Sequence, residues 1–130
     1  MSVPAEVSCR KEGYGIKSAT QPSEAATIHK GRRWYSFKRR YFVLYEDSLK
    51  YFTDHTLKTE KGSILLTNGQ ALQAQVFEAN SVEGGQVAHK QFGVTHLLEV
   101  VADSRIFVMG LLSEEEAYSW RRLLKVAAPA

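Results

Sequence analysis

Short hydrophobic stretches, separated by residues typical of turns, occur along most of the chain and are typical of β-strands. The longest such stretch spans residues 34–45 and is rich in aromatic and β-branched residues, and a second follows at 48–53 after the acidic turn pair Glu46-Asp47. This pattern predicts a β-hairpin. Shorter segments of the same kind predict five further strands, which lie at 12–17, 62–66, 71–77, 92–101 and 105–112.

The end of the chain changes to helical spacing. Ser113 and Glu116 have the spacing of a capping box, in which a serine hydroxyl and a glutamate three residues later satisfy the first backbone N–H groups of a helix. Trp120 and Leu124 then lie one helical turn apart. We therefore predict a helix over 113–126 with Trp120 facing the core. The fold class expected is mainly β: a seven-stranded antiparallel barrel or sandwich capped by one C-terminal α-helix.

Length and composition limit the classes of protein that the chain can represent. With 130 residues, 44% hydrophobic and 24% charged, one domain is expected, with a tail over 1–10 and the domain over 11–127. The lone Cys9 excludes an internal disulfide and fits a reducing cytosol. No apolar run approaches the length of a membrane span, and the first residues lack the features of a signal peptide. Any membrane contact is therefore expected to be peripheral, and the protein is expected to be a monomer.

Positive charge is concentrated in the first half of the chain. Residues 1–61 hold 12 Lys/Arg and 7 Asp/Glu, whereas residues 62–130 hold 5 Lys/Arg and 7 Asp/Glu. Six cations and no acid lie between Lys30 and Arg40. Such asymmetry favours association with an anionic surface, either a membrane or a nucleic acid. A solvated basic face without a partner is the alternative.

Three segments, in order and spacing, resemble the pleckstrin homology (PH) domain family. Lys11-Glu12-Gly13-Tyr14 is similar to its first strand, 37–44 to its second strand, and 105–120 to its last strand and capping helix, with the characteristic tryptophan at Trp120. The resemblance spans about residues 11–127. It implies a non-catalytic module that binds phosphoinositides and recruits its protein to the cytosolic face of membranes.

The resemblance also implies a set of headgroup-binding residues. Lys38 and Arg40 match the basic-x-Arg motif of the second strand, and alternation places both on one face and Arg39 on the other. An ammonium binds phosphate as a point charge, and a guanidinium can bind it with two parallel hydrogen bonds. The complete phosphoinositide-binding set implied by the resemblance is Lys17, Lys38, Arg40, Tyr51 and Lys61.

A long loop precedes the second strand and departs from the family pattern. Twenty residues separate Lys17 from Lys38, whereas seven separate Lys30 from Lys38. Either lysine can therefore be the motif lysine of the first strand, although the start of that strand favours Lys17. The other cations and the aromatic residue of the loop are expected to contact the membrane surface. These membrane-contact residues are Lys30, Arg32, Arg33 and Trp34.

Other functions have weaker support in the sequence. Four scattered histidines and one cysteine lack the spacing of a metal site, and no catalytic arrangement is recognisable, so neither a metal nor a cofactor is expected. A peptide-binding module of the same barrel type, similar to phosphotyrosine-binding domains, is the main alternative, and a protein partner remains open. Nucleic-acid binding by the basic end is a third hypothesis, which we do not favour. The expected location is cytoplasmic, peripheral at the inner face of the plasma membrane or an endomembrane.

Overall fold

The computed structural model describes residues 9–19, 21–22, 37–66, 73–81, 84–102 and 105–127. Within these ranges the chain forms eight strands and two α-helices, with a 3₁₀ turn at Ala79–Ser81. In chain order the elements are β1 (Lys11–Lys17), β2 (Gln21–Pro22), β3 (Lys38–Leu44), β4 (Ser48–Phe52), β5 (Glu60–Leu65), β6 (Gln73–Glu78), α1 (Gly85–Phe92), β7 (His96–Ala102), β8 (Arg105–Leu111) and α2 (Glu114–Ala127).

All strands belong to one antiparallel sheet. Seven of them follow the order β5-β4-β3-β1-β8-β7-β6, and the two-residue β2 pairs with β8 outside this order. These seven strands and α2 correspond in order to the predicted elements, so the predicted mainly β fold with a C-terminal helix is confirmed. Within the described residues the edge strands β5 and β6 do not pair with each other, so the architecture is a sandwich.

The sheet folds over so that its inner face surrounds the core. Tyr51 on β4 and Phe107 on β8 have ring centroids 6.3 Å apart, although β3 and β1 lie between their strands. In a flat sheet three strand spacings would separate them by about 14 Å. Arg105 of β8 likewise reaches β5, where its Nη2 donates to the Ser63 carbonyl at 3.1 Å. The two halves of the sheet therefore face each other.

Trp120 fills the space between these halves. Its side chain is fully buried, and its ring centroid lies 6.2 Å from that of Phe42 in an edge-to-face arrangement. The Lys11 ammonium lies 5.2 Å from the centre of the Trp120 ring and also pairs with Glu116 of α2 at 3.2 Å. The prediction that Trp120 faces the core is confirmed, and Lys11 links β1 to the helix that carries it.

The start of α2 has the predicted cap. Ser113 precedes the helix, and the Glu116 backbone N–H donates to its Oγ at 3.1 Å. The Glu116 carboxylate pairs with Lys11, and Glu114 and Glu115 stand beside it in the first turn, where the helix dipole favours negative charge. The predicted helix over 113–126 matches the observed Glu114–Ala127 within one residue.

The helix α1 is an element that the sequence did not predict. A strand was expected to begin at Phe92, but Phe92 ends α1, and Gly93, with φ of 75°, terminates the helix in a left-handed conformation. The strand begins at His96. Ala88 and Val94, within and just after α1, share a second hydrophobic cluster with residues on the outer face of the sheet. The predicted start of this strand was wrong because Ala88 and Phe92 lie one helical turn apart. Both side chains can therefore cover the apolar outer face of the sheet from a helix.

Candidate anion-binding site

Two basic residues of β3 lie on the same face of the strand as its buried core residues, just beyond the edge of the core. Phe42 is fully buried inside, and Arg40 and Lys38 lie two and four residues before it, on the same face. Arg40 is half-buried and Lys38 is exposed. In the ladder with β1, Lys38 lies directly opposite Lys17. The folded sheet therefore brings these cations together at one open end.

A cavity of about 300 Å³ lies at this open end. It is lined by the ends of β1, β3, β4 and β5. Its lining residues are Lys17, Ser18, Ala19, Lys38, Arg40, Tyr51 and Lys61. All five residues of the predicted phosphoinositide-binding set thus line one cavity, here called the basic cavity. Among the described residues, no carboxylate belongs to this lining.

Lys17 is the most enclosed cation of the basic cavity. Its side chain is 7% exposed, and its Nζ lies 4.6 Å from the centre of the Tyr51 ring and 5.0 Å from that of Phe107. The amine donates to the Ser18 carbonyl at 2.9 Å. Burial, followed by the nearby guanidinium groups of Arg40 and Arg105, lowers the pKa of Lys17 to about 8. Lys17 therefore sits in a site where an added negative charge would stabilise it.

Ser18 fixes the end of β1. Its backbone N–H donates to the Val108 carbonyl at 3.1 Å, and its Oγ accepts a hydrogen bond from the Val108 N–H at 3.0 Å. Ser18 is buried, so these bonds are protected from water. The two-point contact with β8 holds Lys17 in place although the main β1–β8 pairing covers only two residue pairs.

Tyr51 is positioned by a glycine on the neighbouring strand. Gly62 lies opposite it in the β4–β5 ladder, and a Cβ at Gly62 would overlap the hydroxyl and ring of Tyr51. The aromatic ring therefore occupies the space that any other residue at position 62 would fill. This packing places the Tyr51 side chain beside Lys17 at the wall of the basic cavity.

Lys61 lines the cavity at a point where the register between β4 and β5 shifts. Phe52 pairs with Glu60 and Tyr51 pairs with Gly62, so Lys61 has no partner of its own across the ladder. A bulge of this kind redirects a side chain relative to a regular strand. The sequence placed Lys61 in the site through family resemblance alone, and the bulge supplies the structural reason for its position.

Arg105 is a cation of this region that the sequence did not indicate. It lies on β8 two residues before Phe107, and its charge contributes to the lowered pKa of Lys17. Its hydrogen bond to the Ser63 carbonyl joins the two halves of the sandwich beside the cavity. The sequence signal that could have identified Arg105 is its two-residue spacing from Phe107 and Met109, which places all three on the inner face of one strand.

Arg39 points away from the basic cavity, as the alternation predicts. Its guanidinium lies 3.9 Å from the centre of the Tyr14 ring on the outer face of the sheet. There it lines a separate cavity of about 260 Å³ whose other walls include Ile16, Phe92 and Leu112. The two sides of β3 therefore present a polar cavity inside and a mainly apolar one outside.

The predicted membrane-contact residues lie outside the described residues. Lys30, Arg32, Arg33 and Trp34 all belong to the segment 23–36, so their placement and the alternative role of Lys30 stay predictions. Lys17, in contrast, is placed at the end of β1 in the basic cavity.

The groove that the peptide-binding alternative requires is partly occupied. Arg121 of α2 donates from its Nε to the Ala74 carbonyl of β6 at 3.0 Å. Among the large hydrophobic residues that are exposed in the described ranges, none belongs to β6, and Tyr118 alone belongs to α2. Peptide modules that add a strand to a sheet need free main-chain groups and side-chain pockets along that edge. Within the described residues, Arg121 thus occupies one main-chain carbonyl of the edge strand β6, and no large hydrophobic side chain of β6 is exposed to anchor a peptide.

A sequence comparison decides the family. The sequence pattern of the PH domain family matches residues 9–129. The chain belongs to the PH domain family. No curated protein matches this PH domain in sequence. No helix in the described part of the chain is both long and apolar enough to cross a bilayer.

Solved structures with the same fold share little sequence with this PH domain. The C-terminal PH domain of pleckstrin, in complex with D-myo-Ins(1,2,3,5,6)P5, is 19% identical, with a TM-score of 0.59 over 93% of this chain and 96% of that one. The PH domain of ArhGAP27 is 15% identical, with a TM-score of 0.56 over 92% and 98%. At these identities the likeness establishes the fold.

Proposed function

We propose that this PH domain is a non-catalytic module that binds phosphoinositide headgroups in the basic cavity and thereby recruits its protein to membranes. The observation that carries the proposal is the convergence of Lys17, Lys38, Arg40 and Lys61 on one cavity, whose lining in the described part of the chain contains no carboxylate. Phosphate groups satisfy such a site because each ammonium and guanidinium can donate charge-assisted hydrogen bonds to phosphate oxygens.

The shape of the cavity supports a compact, multiply charged ligand. A volume of about 300 Å³ lies at the lower end of the range typical of small-ligand sites. Cations approach it from three strands, and the Tyr51 side chain adds one hydroxyl. The structural neighbour from pleckstrin was solved with an inositol pentakisphosphate, a ligand of this chemistry. We infer that the headgroup enters between the ends of β1, β3 and β5.

Vesicle binding tests the proposal. Vesicles that differ in phosphoinositide isomer, at constant total negative charge, should retain the protein to different extents. The matched variant Lys38→Ala/Arg40→Ala should lose that preference and keep only salt-sensitive binding to anionic vesicles, since two of the cavity cations are gone. Equal retention of wild type and variant on every vesicle would contradict a role for the cavity. The expected site of action is the cytoplasmic face of a membrane, with the protein as a monomer.

A further inference from the structure

The cavity of about 260 Å³ on the outer face of the sheet, here called the outer cavity, differs in chemistry from the basic cavity. Its described lining consists of Tyr14, Gly15, Ile16, Arg39, Phe92, Gly110 and Leu112. We propose that the outer cavity binds a small organic acid, in which an apolar ring or branched chain carries a single carboxylate. This second site is independent of the proposed headgroup-binding function and takes a ligand of a different class.

The outer cavity lies where two neighbouring strands stop pairing. The described β1–β8 ladder joins Ile16 to Gly110 and Lys17 to Met109. Beyond these pairs, Tyr14 of β1 and Leu112, just after β8, line the same cavity from its two sides. Phe92, the last residue of α1, adds a further wall. Ordered strands and a helix therefore build this space.

The walls suit the apolar part of such a ligand. Ile16 is buried, Phe92 is half-buried, and Leu112 leaves 67% of its surface exposed. A ligand that covers the Leu112 side chain would remove apolar surface from water, which is favourable. An apolar protein cavity of about 150 Å³ is large enough to bind benzene. The outer cavity therefore has room for one ring with a short acidic side chain.

Arg39 supplies the polar end of the site. Its guanidinium lies 3.9 Å from the centre of the Tyr14 ring. That ring lies edge-to-face against Tyr41, with centroids 4.8 Å apart, and its hydroxyl accepts a hydrogen bond from the His55 backbone N–H at 3.0 Å. A guanidinium stacked on a fixed ring can direct the N–H groups of its edge toward a carboxylate and bind it with two parallel hydrogen bonds.

The charge of the outer cavity matches one carboxylate and does not match a polyphosphate. In the part of the lining that the structure describes, Arg39 is the single charged residue, whereas four cations line the basic cavity. An inositol phosphate in the outer cavity would bring several charges against apolar walls, and such desolvation is costly.

The sheet topology favours a free acid over a peptide. Strands β3, β1 and β8, which line the outer cavity, are successive neighbours in the interior of the sheet order. A peptide that binds by strand addition needs a sheet edge, which these three strands do not provide. A free organic acid needs only the apolar walls and the Arg39 guanidinium.

The probe is 3-phenylpropionate, with 3-phenylpropan-1-ol as the uncharged match and propionate as the acid without a ring. In NMR titrations of the intact chain, the acid should shift the backbone amides of Gly15 and Gly110 and the methyl groups of Leu112. The amide of Gly62, beside the basic cavity, should not move. Both matched compounds should bind roughly tenfold more weakly or worse, because each lacks the carboxylate or the ring.

Substitutions at two exposed residues test the two parts of the site. Arg39→Gln should weaken binding of the acid roughly tenfold or more and leave that of the alcohol unchanged, because only the acid uses the guanidinium. Leu112→Glu, which places a like charge at the wall, should also weaken the acid. Arg10→Gln, at another exposed arginine, is the matched control and should bind the acid like the wild type.

Three results would overturn the proposal. One is equal binding of the acid by the wild type and Arg39→Gln, whose fold the same spectra report. Another is a shift of Gly62 without shifts of Gly15 and Gly110, which would place the acid in the basic cavity. The third is tighter binding of N-acetyl-glycyl-glycyl-phenylalanine than of 3-phenylpropionate, which would assign the outer cavity to a peptide terminus.

Discussion

Lys17 and Lys38 lie directly opposite each other in the β1–β3 ladder, on the inner side of the sheet, although both are cations. Like charges at opposed positions destabilise a strand pair, and burial of the Lys17 ammonium adds a desolvation cost. The Lys17 ammonium recovers part of this cost through its hydrogen bond to the Ser18 carbonyl and its contacts with the Tyr51 and Phe107 rings. An anion bound at the proposed headgroup site would offset the remaining cost, because it would lie near both cations.

Replacing Lys17 with methionine is expected to stabilise the free protein at pH 7. The pKa of Lys17 falls from 10.5 to about 8 on folding, which corresponds to a gain of at most about 3 kcal/mol when the charge is removed. Because the unfolded chain binds more protons than the folded protein between pH 8 and 10.5, the wild type regains stability with rising pH in that window. The advantage of Lys17→Met should therefore shrink from pH 8 to 10.5 in denaturant titrations.

Lys38→Met is the matched control for this prediction. Lys38 occupies the opposed ladder position, but its side chain is exposed, so its removal should change the free energy of unfolding by no more than about 0.5 kcal/mol. A gain for Lys17→Met that does not depend on pH would show that better packing, rather than relief of a buried charge, is its source.

Headgroup binding should depend on Arg40 far more than on Arg39. Arg40 lines the basic cavity, whereas the Arg39 guanidinium stacks on Tyr14 on the opposite face. Loss of charge-assisted hydrogen bonds in Arg40→Ala should cost about 1.5–3 kcal/mol of binding free energy. Arg39→Ala should leave binding to a soluble inositol phosphate nearly unchanged, as measured by calorimetry. Equal losses in the two variants would contradict the assignment of faces.

The substitution Gly62→Ala should weaken both stability and binding through Tyr51. A Cβ at position 62 would overlap the Tyr51 side chain, and overpacking of this kind typically costs about 1–3 kcal/mol. The displaced ring would no longer pack against the Lys17 ammonium. A double-mutant cycle with Tyr51→Ala separates the causes, since the alanine at position 62 should be tolerated once the ring is absent. A cost of the same size in both backgrounds would indicate backbone strain and not contact with the ring.

The sequence could predict the succession of strands along the chain, the capping helix and the two faces of β3 because these depend on local patterns. Alternation alone separates Arg39 from Arg40, and the capping box alone identifies the start of α2. These features repeat within a few residues, so one sequence is enough to read them. The five residues that line the basic cavity were implied as a set by the family resemblance.

Other features depend on contacts between distant segments and could not be read from the sequence. The position of Lys61 depends on a bulge in β5, where the register with β4 shifts between Tyr51 and Phe52. Arg105 approaches Lys17 only because the sheet folds over. The burial of Lys17 likewise depends on Phe107, far along the chain. The helix α1 was missed because it covers an outer apolar surface that strand alternation alone does not reveal.

The loop cations Lys30, Arg32 and Arg33 are expected to act through the general field of an anionic membrane. Each should contribute about 1 kcal/mol near the surface, and the contribution should fade as salt rises, because the Debye length is about 8 Å at physiological ionic strength. Vesicle binding of the triple alanine variant and the wild type should therefore converge with increasing salt. The difference between Lys38→Ala and the wild type should persist, since a headgroup in the basic cavity is partly shielded from solvent. If the difference in vesicle binding between the triple variant and the wild type stays constant as salt rises, the loop belongs to the headgroup site. Lys30 would then be the motif lysine of the first strand.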